Sequence, residues 1–239
     1  MSAQSLLRKI FAAALASGAL AAQAGTVVFD GWAYPNGNSV AVTGFSGQAG
    51  GFEIHLSGYG ALDGEYDSYC VDLKEHISLN ASYVNNYSVV SAASYFNPTK
   101  LAALTKLISY VEGQGVFATA TSDSQQSTAL QLAIWNTVYD IDSTLDIGGA
   151  FSETTTTFRT GAAAYTGVNT LLSASQTFSG GPAYELFVLS SGWPFRNVPG
   201  NQDQLIWRLS TVPEPTTLAL VGFGLAASGW VRRRRKIGL

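Results

Sequence analysis

The sequence predicts an α+β domain: a β-rich, sandwich-like core with an inserted helical cluster. Three observations lead there. Short β-branched and aromatic stretches, often alternating with polar residues, fill the chain from Thr26 to Val90. The spacing then becomes helical between about residues 97 and 175. Strand-like stretches return at Tyr184 to Leu189 and Leu205 to Leu209.

The first strands are expected at Thr26-Val27-Val28-Phe29, Val40 to Phe45, Gly51 to Leu56 and Tyr66 to Leu73. Turn chemistry separates them at Pro35-Asn36-Gly37-Asn38, at the Gly47-Gln48-Ala49-Gly50-Gly51 run and at Asp63-Gly64. Asn97-Pro98-Thr99 then offers a cap and a first-turn proline. Leu101, Leu104, Leu107, Ile108 and Val111 make one helical face, which stops at Gly113 and Gly115. A second helix opens at Ser122 or Asp123, where Gln125 or Gln126 completes a capping box, and runs to about Tyr139. Its core stripe is Leu130, Ile134 and Val138, while Gln131 and Trp135, four apart, share another face. A third helix, weakened by Gly161 and Gly167, spans Phe158 to Ser175. Gly180-Gly181-Pro182 and Pro199-Gly200-Asn201 are turns around the returning strands. No repeat of fixed period occurs.

Both ends of the chain differ from this core. Arg8 and Lys9 precede an alanine- and leucine-rich run from Ile10 to Ala22, and Ala22-Gln23-Ala24 supplies small residues for cleavage. Residues 1–24 therefore read as a signal peptide removed by signal peptidase, with the mature protein starting near Gly25. At the other end, Pro213-Glu214-Pro215 is followed by an apolar run from Thr216 to Val231. As a helix this run is about 24 Å long at 1.5 Å per residue. It is short for a transmembrane helix but within reach of one if the bilayer thins. Arg232, Arg233, Arg234, Arg235 and Lys236 then act as a stop-transfer cluster that stays on the cytoplasmic side of the inner membrane.

Residues 25–212 are long enough for one extracytoplasmic domain with a sizeable core. Of the 13 Lys and Arg in the chain seven lie in the terminal signals, but of the 16 Asp and Glu only Glu214 does. The stretch between keeps six bases against fifteen acids, a formal charge near −9. Such a domain is a poor partner for nucleic acid or anionic lipid. With one cysteine, Cys70, it forms no internal disulfide. His55 and His76 are its only histidines and no zinc-ligand spacing surrounds them, so neither a metal nor another cofactor is expected. Asp140-Ile141-Asp142-Ser143-Thr144-Leu145-Asp146 has carboxylates at calcium-like spacing, but Leu145 stands where such a loop needs glycine. Pairing of Cys70 with His55 or His76 in a thiol hydrolase is a weaker reading, and the chain is not expected to be an enzyme.

The C-terminal order of tripeptide, apolar helix and basic tail resembles the PEP-CTERM sorting signal of exported bacterial proteins. The resemblance implies a sorting enzyme, the exosortase, that recognises Pro213, Glu214 and Pro215. A second resemblance covers only two motifs. Tyr69-Cys70-Val71-Asp72-Leu73 at a strand end, followed by Leu130-Gln131-Leu132-Ala133-Ile134-Trp135 on a helix, is similar to the thioester domains of bacterial surface adhesins. It implies that Cys70 and Gln131 join in an internal thioester with loss of ammonia. Tyr69 and Trp135 flank the pair and are expected to shield it from water. The function these features predict is attachment to a surface protein or polysaccharide in the envelope or matrix. The alternative is a non-covalent structural or carbohydrate-binding matrix protein in which the same residues only pack.

Overall fold

A computed structural model describes residues 24–34, 37–42, 45–73, 75–114, 124–139, 166–180, 183–191 and 201–210. The expected signal peptide, the calcium-like loop 140–146, the PEP tripeptide, the apolar run 216–231 and the basic tail lie outside them, apart from Ala24. Among the described residues no helix is long and apolar enough to cross a membrane. The chain divides into two units, residues 1–208 and 209–239. Of the second, only Leu209 and Ser210 are described.

The strands are β1 (Ala24–Trp32), β2 (Asn38–Val42), β3 (Phe45–Ala49), β4 (Phe52–Ser57), β5 (Gly64–Cys70), β6 (Ala81–Ser91), β7 (Tyr184–Ser190) and β8 (Gln204–Leu209). The helices are α1 (Ala92–Tyr95), α2 (Pro98–Gly113), α3 (Ser124–Tyr139) and α4 (Thr166–Thr177), all between β6 and β7 in chain order. The α+β class and the β-rich core are as the sequence predicts. The sandwich is not: six strands close into a barrel in the order β1-β4-β5-β8-β7-β6, and β2 and β3 form a separate hairpin. Inward–outward alternation is common to sandwiches and barrels, so periodicity does not separate them. Closure depends on strand length and twist. The eleven-residue β6 pairs through Ala81–Val84 and Ser88 with β1, and through Ser88–Ser91 with β7. Register shifts in β1, between Ala24 and Thr26 and between Phe29 and Gly31, mark irregularities of the kind that add twist. Neither β6 nor its register is legible as a separate element, because Tyr83, Val84 and Tyr87 sit in a polar, asparagine-rich stretch.

The interior follows from the pleat. Phe52, Ile54 and Leu56 of β4 are buried while Glu53, His55 and Ser57 are exposed, and Val27 and Phe29 of β1 join the buried set. Phe29 packs edge-on against Phe52 and Tyr83. The expected single strand Val40 to Phe45 is instead the hairpin β2–β3, whose second strand takes in Gly47, Gln48 and Ala49 of the expected turn.

α2 begins as expected: the Asn97 side chain accepts from the Lys100 amide at 2.9 Å and Pro98 stands in the first turn. The cap of α3 and the first half of the expected third helix, Phe158 to Tyr165, fall outside the described residues. α2, α3 and α4 pack on one another, and α3 also packs against β5 and the hairpin. Consequently α3 is not a one-faced helix: every residue from Ser127 to Asn136 is buried, polar ones included.

Candidate functional site

The site grows from the place where β5 outlasts β4. Pairing between these strands ends at Phe52 opposite Ser68. Beyond it, the chain leaves at Gly51 and Gly50, so β5 continues without a β4 neighbour through Tyr69 and Cys70. On the other side Cys70 still faces Gln204 of β8. In an antiparallel ladder every second residue points its N–H and C=O to the same edge. The backbone groups of Cys70 therefore need a partner where β4 is missing, since a buried unpaired amide is costly.

Gln131 of α3 supplies it. Its Oε1 accepts from the Cys70 amide at 2.9 Å, and its Nε2 donates to the Cys70 carbonyl at 2.8 Å. A primary amide carries the same donor and acceptor as a peptide unit, so this fully buried side chain stands in for one more residue of β4. The helix is held in register by the hydroxyls of the preceding turn. Ser127 accepts from the Gly51 amide at 2.7 Å and shares a hydrogen bond with the Tyr69 hydroxyl. Thr128 donates to the Ala49 carbonyl at 2.7 Å and accepts from the Asn38 side chain at 3.0 Å.

The thiol lies on the barrel-interior face. Cys70 shares its face with Ser68 and Gln204, because residues opposite one another across a ladder project to the same side. Its Sγ donates to Gln202 Oε1 at 2.8 Å and accepts from Gln204 Nε2 at 3.3 Å. Burial pushes the Cys70 thiol well above its ordinary range, which keeps it protonated at neutral pH. Gln202 in turn donates to the Asp72 carbonyl at 3.0 Å.

A cavity of about 260 Å³ opens onto this pair. Cys70, Gln131, Trp135 and Gln202 form its floor and wall, and Trp32, Gln48 and His76 lie around it. Trp135 is thus where a shield for the pair would stand. Tyr69 is buried but does not line the cavity. One residue along the strand from Cys70, it points to the opposite face, stacks on Trp207 and fills the space that Gly51 leaves by having no side chain. A Cβ at Gly51 would come within 2.7 Å of the Tyr69 ring. His76 is exposed and lines the cavity that contains Cys70, whereas His55 projects from the outer face of β4.

Next to these amides stand three carboxylates, Asp72, Glu75 and Asp203, whose oxygens lie within 4.8 Å of one another. Asp72 accepts from the Asp203 and Glu75 amides. Asp203 accepts from the Tyr95 and Ser190 hydroxyls and from the Ser191 amide. Burial above all, helped by the neighbouring Asp203 and Glu75 carboxylates, raises the Asp72 carboxyl to about 7. Gln202, Asp203 and Gln204 were missed because a polar Asn-Gln-Asp-Gln run before a strand reads as a loop. The useful signal is that this run adjoins the apolar Leu205-Ile206, which must enter the core.

The C-terminal region matches a family model described as the PEP-CTERM protein-sorting motif, over residues 211–236. No curated protein and no solved structure matches the chain. The motif implies an exported protein recognised by an exosortase and held transiently at the membrane through its C-terminal region.

Proposed function

We propose that the domain from Gly25 to Val212 is an exported attachment module in the envelope or exopolysaccharide layer, with a bond-forming pair at Cys70 and Gln131. The observation that carries this reading is the amide of Gln131 held on the backbone of Cys70, in a cavity, with the thiol on the same residue. The amide carbonyl accepts a backbone N–H, which draws electron density from its carbon as an oxyanion site does. Rigid placement on a strand and a helix makes exchange between thiol and amide intramolecular. In the step itself, Cys70 Sγ attacks Gln131 Cδ, the C–S bond forms and the C–N bond breaks. The thiol proton leaves on nitrogen as ammonia. A nucleophile on a target later displaces the sulfur once, so the module bonds rather than turns over.

The test is intact mass of the mature exported protein beside its Cys70→Ala and Gln131→Ala variants. The wild type should be lighter by one ammonia than the substitutions alone account for, and a small amine should add to it at residue 131 while freeing one thiol. A wild type at full sequence mass leaves the packing reading. That reading has its own support, since both polar atoms of the Gln131 amide are hydrogen-bonded as a structural lock requires.

Delivery follows from the termini. Signal peptidase releases the N-terminus near Gly25, and the apolar run 216–231 holds the protein in the inner membrane with residues 232–236 inside until the exosortase acts at Pro213-Glu214-Pro215. A cytoplasm-only reporter fused after Val212 should be silent. Glu214→Ala should leave unprocessed protein in the membrane; an unchanged mature mass and location would make the tail a plain anchor.

A further inference from the structure

Among the described residues, the wall of the cavity beside Cys70 and Gln131 contains no Asp, Glu, Lys or Arg. Its titratable side chains are Cys70 and His76. This is unlike the domain as a whole, which carries a formal charge near −9. What the cavity offers is aromatic carbon and neutral amides. The Trp32 ring lies 4.6 Å from that of Phe52 and is half-buried. Behind it, Gly37 and Gly50 give it room: a Cβ at Gly37 would come within 2.5 Å of the indole. Trp135 forms a second aromatic wall, and Gln48 and Ser46 at exposed positions of β3 add donors and acceptors.

We infer that this cavity is an acceptor subsite for a neutral sugar ring, held on Trp32 and hydrogen-bonded by Gln48, with a sugar hydroxyl as the acyl acceptor. The acylation step rests on the thioester reading above; the binding step rests on the cavity alone. Aromatic faces accept the apolar C–H face of a pyranose, while amide side chains match its hydroxyls. A volume of about 260 Å³ suits one ring-sized group. A lysine fits poorly. Its ammonium would lose water with no carboxylate among the described wall residues to replace it, and at pH 7 only about one side chain in 10³ is already neutral.

The chemistry balances without a cofactor. The hydroxyl oxygen attacks Cδ of the acylated residue 131, the C–O bond forms and the C–S bond breaks. The hydroxyl proton passes to the departing sulfur. Burial favours the protonated state of that sulfur, so it retains the proton. The products are an ester at residue 131 and a free Cys70 thiol.

The test separates binding from bonding. Cys70→Ser forms no thioester yet keeps the backbone groups that hold Gln131. This variant, in its mature exported form, is titrated with glucose, galactose, N-acetylglucosamine and N-acetyl-lysine while tryptophan fluorescence is followed. At least one neutral sugar should bind saturably and more tightly than the lysine derivative. Adding Trp32→Ala, or Gln48→Ala at an exposed position that leaves the core intact, should weaken that binding by about tenfold. Wild-type protein given the same sugar should gain one sugar mass at residue 131, released by hydroxylamine as an ester is. No saturable sugar binding, tighter binding of acetyl-lysine, or affinity unchanged in both variants would overturn the subsite. An ammonia-deficient wild type that takes only amines would overturn it while leaving the thioester in place. A wild type at full sequence mass that still binds sugar would overturn acylation and keep the binding site.

Discussion

At Cys70 the end of β5 meets amides, and two residues later, at Asp72, it meets carboxylates. Both groups are largely buried, both bridge the strand to Gln202–Gln204, and both satisfy backbone N–H groups left without a ladder partner. The amide cluster does this without charge: Gln131, Gln202 and Gln204 each offer donor and acceptor, and no arrangement of them depends on pH. The acidic cluster is acceptor-only when ionised, so it gathers donors from Tyr95, Ser190, Ser191 and the backbone. Neutral amides suit a site whose sulfur must stay uncharged and shielded. Carboxylates suit a joint that ties several segments together, at the cost of desolvating charge.

Removing the amide lock should produce the largest effect. In a Cys70→Ser background, where the amide stays intact, Gln131→Ala leaves the N–H and C=O of residue 70 buried with no partner, and each such group costs roughly 1–3 kcal/mol. A loss on the order of 2–5 kcal/mol in denaturant unfolding is expected. A change under about 1 kcal/mol would mean that the amide adds nothing beyond packing. On the acidic side the expected loss is smaller. Asp203→Asn keeps one acceptor oxygen but turns an NH₂ toward donors already present at Ser191 or at Tyr95 and Ser190. About 2 kcal/mol is expected, typical of a hydrogen bond to a charged group. If Asp203→Asn exceeded Gln131→Ala, the carboxylates and not the amides would be the main brace of this strand end.

The two clusters also differ in how far the sequence reveals them. Cys70 and Gln131 stand out because one is the lone cysteine and the other sits in a strongly periodic helix. What stays hidden is why they meet: the early departure of β4 at Gly51, which no local pattern signals. Tyr69 shows the limit of adjacency in sequence, since a strand sends neighbouring side chains to opposite faces. Asp72 and Asp203 are 131 residues apart, and nothing in either segment names the other. The barrel is illegible for a similar reason. Alternation in β1 and β4 tells which side chains face inward, while closure depends on β6 reaching two partners at once.

The smallest change at neutral pH is expected from Asp72→Asn, and its value lies in the slope. Burial raises the folded-state pKa of Asp72 from 3.8 to about 7. Between those values the folded protein holds a proton that the unfolded chain has released, so this carboxyl makes stability fall as pH rises from about 4 to about 7. The slope it can contribute is at most about 1.4 kcal/mol per pH unit. Asparagine carries no such charge, and it still accepts from either the Asp203 or the Glu75 amide, though not from both. The loss of one acceptor opposes the relief of desolvation, so the net change near pH 7 should stay within about 1 kcal/mol. Unfolding free energies measured from pH 5 to pH 8 should therefore decline less steeply in the variant than in the wild type. Gln131→Ala should lower the whole curve without altering its slope, since no ionisable group is removed. Equal slopes in Asp72→Asn and wild type would show that the Asp72 carboxylate is ionised throughout this range, and that the two clusters respond alike to pH.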